Sequence, residues 1–292
     1  MPSNALDLNN LRLAVLIDAE NVPRNCIKSV LEEIAIYGTP TLKRIYGDWT
    51  SPVVSGWKTS LLENAITPVQ QYSYTTGKNS SDSAMIIDAM DILYSGKTDG
   101  FVIVSSDSDF TRLAIRLREA GQRVIGIGER KTPSAFIAAC DKFTYIEVIR
   151  AKAKAAQNDI EEPQADSEEM QEETQTETGE ARPDSEECGQ KTQTQHREKY
   201  HGQSRQRGAK VPKAIVQLIA DSVADLADDN GSVFMGELGN LILKKQPDFD
   251  HRNFGYMSLS AMIKSIDRFE LAFRQTTDPN IKHVFVRDKE AG

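Results

Sequence analysis

A short apolar run, Leu11-Arg12-Leu13-Ala14-Val15-Leu16-Ile17, is closed by Asp18. A second, Phe101-Val102-Ile103-Val104, leads directly into Ser105-Ser106-Asp107-Ser108-Asp109. A third acid, Asp82, stands at the head of a helical pattern after Lys78-Asn79-Ser80-Ser81, and Asp88 follows six residues later, rotated away from it. Carboxylates gathered in one place repel unless a cation or a proton lies between them. The four histidines are His196, His201, His251 and His283, so residues 1–195 contain none. That excludes a Ser-His-Asp triad, a histidine-pair nuclease and a His-ligated zinc from this region. Hard oxygen donors without His or Cys select Mg²⁺ or Mn²⁺. Such ions polarise a phosphodiester, activate water and stabilise a leaving oxygen. Taken singly, each acid has a plainer explanation: Asp18 as a strand-end turn residue, Asp82 and Asp109 as helix caps. Gathered at one rim, the three point to a metal site instead.

The elements that would build this rim alternate. The first apolar run suits a buried strand, and Ile27, Val30, Leu31 and Ile34 then repeat at helical spacing. Gly38 and Pro40 stop that helix. Further strands are expected at 42–46, 66–72, 101–104, 123–127 and 144–148, with helices at 54–65, 84–93, 110–120 and 135–140. Alternation at this spacing predicts a parallel α/β sheet with helices on both faces, and in such sheets sites form beyond the carboxyl ends of the strands. Asp18-Ala19-Glu20 matches the Asp-x-Asp of a haloacid-dehalogenase-type phosphatase poorly, and no Gly-x-Gly-x-x-Gly follows the first strand. Gly126-Ile127-Gly128 follows a late strand and opens no phosphate loop.

Three motifs in order carry a resemblance: Leu16-Ile17-Asp18-Ala19-Glu20-Asn21, then Lys78 with Asp82, then Val104-Ser105-Ser106-Asp107-Ser108-Asp109-Phe110. Over residues 11–149 the chain resembles the NYN domain of the PIN-like nuclease superfamily. The resemblance implies a metal-dependent ribonuclease whose acidic quartet is Asp18, Asp82, Asp107 and Asp109. It places Asn21 beside the site and matches Lys78 and Asp88 to recurrent positions. Ser105 and Ser106 are expected to orient ligands or water.

Charge divides the rest. The formal net charge is −8, but residues 158–187 hold thirteen acids and one base, leaving the remainder at +4. That acidic run has no aromatic residue and cannot bury enough surface to offset chain entropy, which predicts disorder. From Gln190 to Lys210 the sign flips, which fits either a basic arm that touches phosphate or a mixed-charge linker. The expected division is 11–149, a linker over 150–209, and a second domain over 210–288. The latter reads as helices near 214–227, 235–243 and 254–266, followed by two strands, a winged-helix plan. Met235-Gly236-Glu237-Leu238-Gly239 and Asn253-Phe254-Gly255-Tyr256 resemble the OST-HTH/LOTUS domain, which implies RNA or protein binding. With ten bases and eleven acids, this domain does not announce nucleic acid by charge alone. Lys244, Lys245, Arg252, Lys264, Arg274 and Lys282 form either a binding face or ordinary solvated surface.

Cys26, Cys140 and Cys188 are scattered and lack metal spacing, as in a reduced cytoplasmic protein. No apolar run approaches membrane-spanning length, and the first ten residues lack the pattern of a signal peptide. The expectation is a Mg²⁺- or Mn²⁺-dependent ribonuclease whose winged helix delivers RNA. The competing classes are a non-catalytic RNA-binding adaptor and a DNA-directed nuclease.

Overall fold

The computed structural model describes residues 11–52, 54–72, 80–158, 210–228, 230–275 and 282–291. Its central strand, β1 (Arg12–Asp18), is buried at every position but the first. A parallel strand covered on both faces has no polar side, which is why its sequence is continuously apolar instead of alternating. β1 pairs in parallel with β2 (Thr39–Gly47) on one side and with β4 (Gly100–Val104) on the other. With β3 (Thr67–Gln70), β5 (Arg123–Gly128) and β6 (Lys142–Tyr145), the sheet runs β3-β2-β1-β4-β5-β6.

Helices cover both faces. One core layer contains Ile27, Val30 and Ile34 of α1 (Ile27–Ile34), Leu61 of α2 (Lys58–Glu63) and Ile149 of α6 (Ile146–Asn158). The other contains Met85 and Ala89 of α3 (Ser80–Ser95), Leu117 of α4 (Thr111–Glu119) and Phe136 of α5 (Ser134–Ala139). Strand order reverses between β1 and β4, the position where open parallel sheets leave a crevice at their carboxyl edge.

The end of this unit differs from the sequence expectation. The last strand is Lys142–Tyr145, and Ile146 already begins α6, which runs to Asn158. Residues 151–158, expected in the linker, are therefore helical. Ala151-Lys152-Ala153-Lys154-Ala155-Ala156 consists of strong helix formers that extend the turn anchored by buried Ile149. The expected disorder of the acidic run and the basic segment lies outside the described residues.

The second unit comprises α7 (Lys213–Leu226), β7 (Ser232–Phe234), α8 (Met235–Lys245), α9 (Leu259–Lys264), β8 (Phe269–Gln275) and β9 (Lys282–Asp288). The strands form an antiparallel sheet ordered β7-β9-β8 over a core of Ile219, Leu238, Ile242, Met262 and Val286. The expected single helix over 254–266 is two pieces. A 3-10 turn at His251–Phe254 ends on Gly255 at φ 78, a left-handed conformation that glycine adopts without penalty, and α9 starts afresh with Ser258 capping Ala261.

The two units touch. Phe143 N–H on edge strand β6 donates to Pro247 O at 2.9 Å, and Tyr145 Oη donates to Asp248 at 2.8 Å. The first contact occupies a backbone donor that an edge strand would otherwise leave open. Arg252 donates to both oxygens of Glu33 on α1, at 2.9 and 2.6 Å, and also to Asp250. Among the described residues, no helix is long and apolar enough to cross a membrane.

Candidate active site

The parallel ladder carries Asp18 and Ser105 to the same rim. Past Asp18 it continues for one bond, Ala19 N–H to Tyr46 O. The chain then turns back on the Asp18 carboxylate, a local closure that Asp side chains favour. Oδ1 accepts from Glu20 N–H at 3.0 Å, while Oδ2 accepts from Asn21 Nδ2 at 2.7 Å and Ser105 Oγ at 2.9 Å. Asp18 is 1% exposed, and a buried charge persists only with such partners.

Ser105 links the two loops, since its Oγ also accepts from Asp107 N–H at 3.1 Å. Asp107 in turn caps a 3-10 turn, Ser108–Phe110, by accepting from Asp109 N–H at 2.9 Å. Fully buried Phe110 pins that turn to the core, and buried Met85 and Ala89 hold α3, which carries Asp82 in its first turn. One carboxylate oxygen each from Asp82, Asp107 and Asp109 lie within 4.8 Å of one another. Asp82 is buried, Asp107 half-buried and Asp109 exposed, so the cluster opens to solvent on one side.

The electrostatics are those of like charges held close together. Burial, then the charges of Asp18, Asp107, Asp109 and Glu20, push the Asp82 carboxyl up to about 7. Glu20 is raised by burial and by Asp18 and Asp48. Two oxygens bound to one hard cation at 2.0–2.6 Å are at most about 5 Å apart, and the three acids meet that condition with an all-oxygen donor set. Asp18 is outside this set of three. It stands behind them, with both oxygens engaged.

Of the other expected residues, Asn21 and Ser105 hold Asp18, whereas Ser106 accepts from Glu129 N–H at 2.8 Å and ties down the loop after β5. Lys78 lies outside the described residues. Asp88 pairs with Arg44 and the Tyr46 hydroxyl, away from the cluster. Glu20 is a further acid at this rim, outside the expected quartet. The strand-end rule that selected Asp18 covers it as well, being two residues further along the same loop.

The basic residues expected on one face of the second unit do not share a free face: Arg274 lies on sheet strand β8 with Asp228 at 3.5 Å. Arg252 is bound to Glu33 and Asp250, and Lys245 pairs with Asp225 at 2.6 Å, while Lys244 and Lys264 are exposed. A cleft of about 1060 Å³ runs between α6 and α8, with Ala151 and Leu243 among its walls. None of the clustered acids lines it, and the donor chemistry places the candidate site at the open rim instead.

Two solved structures are similar to parts of the chain. One is a protein of unknown function from Vibrio parahaemolyticus, at 20% identity over 50% of this chain and 96% of the other, with a TM-score of 0.41. The second is an uncharacterized protein from Nitrosomonas europaea, at 24% identity over 35% and 95%, with a TM-score of 0.26. No curated protein matches the chain significantly. Residues 12–147 match the NYN domain family and residues 208–281 the OST-HTH/LOTUS family, so the chain carries a nuclease-like NYN domain followed by an OST-HTH/LOTUS domain.

Proposed function

We propose that the chain is a ribonuclease dependent on Mg²⁺ or Mn²⁺, hydrolysing RNA phosphodiesters at the rim between β1 and β4. The observation that carries this is the convergence of Asp82, Asp107 and Asp109 on the strand-order reversal, in a half that contains no histidine. These three residues would hold the cation, which when bound would polarise the phosphate and activate water. Asp18 extends the negative field from behind, and Ser105 and Asn21 hold its carboxylate in one orientation. Ser105 also fixes the backbone of Asp107, so the two strand ends keep a set spacing. The exposed side at Asp109 admits the phosphate. The OST-HTH/LOTUS domain, seated on β6, would bind the RNA and raise its effective concentration at the rim.

The test compares wild type with Asp18→Asn and Asp107→Asn on labelled RNA and on DNA of the same sequence, with Mn²⁺ and with EDTA. Removing one strong electrostatic group lowers turnover by about a hundredfold. If both variants keep wild-type rates, or EDTA leaves RNA loss unchanged, the reading as a metal-dependent nuclease fails and a binding role replaces it. Equal cleavage of RNA and DNA would remove the restriction to RNA.

A further inference from the structure

The outer face of the C-terminal sheet carries an arrangement that its own core does not use. Residues alternate across β8 and β9: Leu271 and Val286 point inward and pack in the core, while Ala272, Arg274, His283 and Phe285 point outward. On β7, Phe234 shares that outer face opposite Phe285. Neither phenylalanine belongs to the core, and both are only half-buried.

Each phenylalanine backs a flat polar group. The Arg274 guanidinium lies over the Phe285 ring, 4.2 Å from its centroid. The His283 imidazole lies on Phe234 with centroids 4.9 Å apart and the planes 40° from one another. Arg274 and His283 are direct cross-strand partners, so the two stacks stand side by side with exposed outer layers. Ala272, opposite Phe285, adds no side chain that would cover them. Gly236 gives the Phe234 ring its place, because a Cβ there would come within 2.8 Å of the ring.

The charges around the stacks permit an anion. Glu270 is on the same face but stands opposite Arg287, and Asp228 reaches Arg274 only at 3.5 Å. A cross-strand aromatic pair by itself would stabilise the hairpin. That role needs neither an arginine laid flat on one ring nor a histidine on the other, both open to solvent.

We propose that this face is a stacking platform for two unpaired nucleobases of single-stranded RNA, one on Arg274 backed by Phe285 and one on His283 backed by Phe234. Unstacked bases pack on aromatic rings and on guanidinium planes, and the phosphates between them meet the Arg274 charge. The proposal rests on the RNA-directed reading above, and of the six expected basic residues it keeps Arg274 on the sheet and sets the helical lysines aside.

The experiment measures binding by the full chain in EDTA, using fluorescein-labelled single-stranded RNA roughly ten nucleotides long, within the site sizes of single-strand binders. A strand of equal length with ribose-phosphate but no bases is the second probe. Arg274→Lys keeps the charge and removes the plane. Arg274→Lys and His283→Ala should each weaken RNA binding about five- to tenfold, the lower end of what losing one stacked base costs. Neither should change affinity for the abasic strand or lower the melting temperature. The proposal is overturned if both variants bind RNA like wild type, if the loss is equal on the abasic strand, or if wild type binds no RNA and the face serves a protein. Because this readout is binding without metal, it stands apart from the cleavage test: an inactive rim would sink the nuclease reading and leave the platform to be decided here.

Discussion

Arg252 and Glu33 are 219 residues apart, yet they form a two-pronged ion pair at 2.6 and 2.9 Å that joins the OST-HTH/LOTUS domain to the NYN domain. Glu33 is 2% exposed, with Tyr37 donating to it at 2.9 Å and the Lys152 ammonium standing 3.6 Å away as an ion pair. Burial alone would raise its carboxyl, but the bonds and charge of Arg252, with Tyr37 and Lys152, hold it below the ordinary value.

Removing Arg252 leaves a buried carboxylate short of its main partner, a loss that costs about 3 kcal/mol. Arg252→Ala should lower the urea midpoint of the full chain, and Glu33→Gln added to it should restore much of the difference. Because the folded-state value of Glu33 is depressed, its contribution is present above the unfolded value and is lost as pH falls through the folded one. The wild-type advantage over Arg252→Ala should therefore fade on acidification below about pH 4, the unfolded carboxylate range. An equal midpoint for the two proteins at pH 7 would mean that this pair does not hold the domains.

Asp82 has the opposite sign. Its carboxyl is raised to about 7, so the folded state holds the proton that the unfolded chain releases, and stability falls as pH rises from the unfolded value through about 7. In EDTA, Asp82→Asn should melt higher than wild type at pH 8, and the gap should close toward pH 4. With metal at about a hundred times Kd, wild type should gain roughly 2.7 kcal/mol. The variant should gain much less. A melting scan of both proteins with and without Mn²⁺ checks this, and equal metal shifts would count against Asp82 as a ligand.

Ser105 bridges Asp18 and Asp107. Ser105→Ala removes a donor from a buried carboxylate, a loss of about 1–3 kcal/mol. The same change frees the spacing of the two loops. RNA cleavage at saturating substrate should drop by about tenfold, the factor carried by 1.4 kcal/mol of misplaced charge. Unchanged turnover would show that Asp18 keeps its place without this hydroxyl.

Asp88 tests the opposite expectation. It holds Arg44 and the Tyr46 hydroxyl between β2 and α3, so Asp88→Asn should destabilise the domain by about 1–3 kcal/mol, the cost of weakening charged hydrogen bonds. Turnover by the folded variant should stay within about twofold of wild type, since no interaction with the reacting phosphate is removed. A hundredfold drop in turnover at unchanged stability would return Asp88 to the site.

The sheet, its helices and the candidate rim were legible because they depend on short-range pattern. Leu13 to Ile17 are apolar at every step because β1 is covered on both faces, and by position alone Asp18 closes β1 and Asp107 follows β4. The chain boundary was legible only in part. The alanine–lysine run after Arg150 resembled linker by composition, and it is helical because Ile146 and Ile149 anchor its first turn in the core.

What the tertiary structure decided is which side chains meet. Asp82 approaches Asp107 and Asp109 because Met85 and Ala89 seat α3 against the sheet, and that seating is not encoded in the spacing of the acids. Arg252 has the same composition value as Lys244 or Lys264, yet it is bound to Glu33 while those two remain exposed. Hydrophobic periodicity reports on the nearest few residues of a strand or helix. The fate of a charge depends on a partner hundreds of residues away and on the few ångströms over which a hydrogen bond forms. Only packing sets that distance.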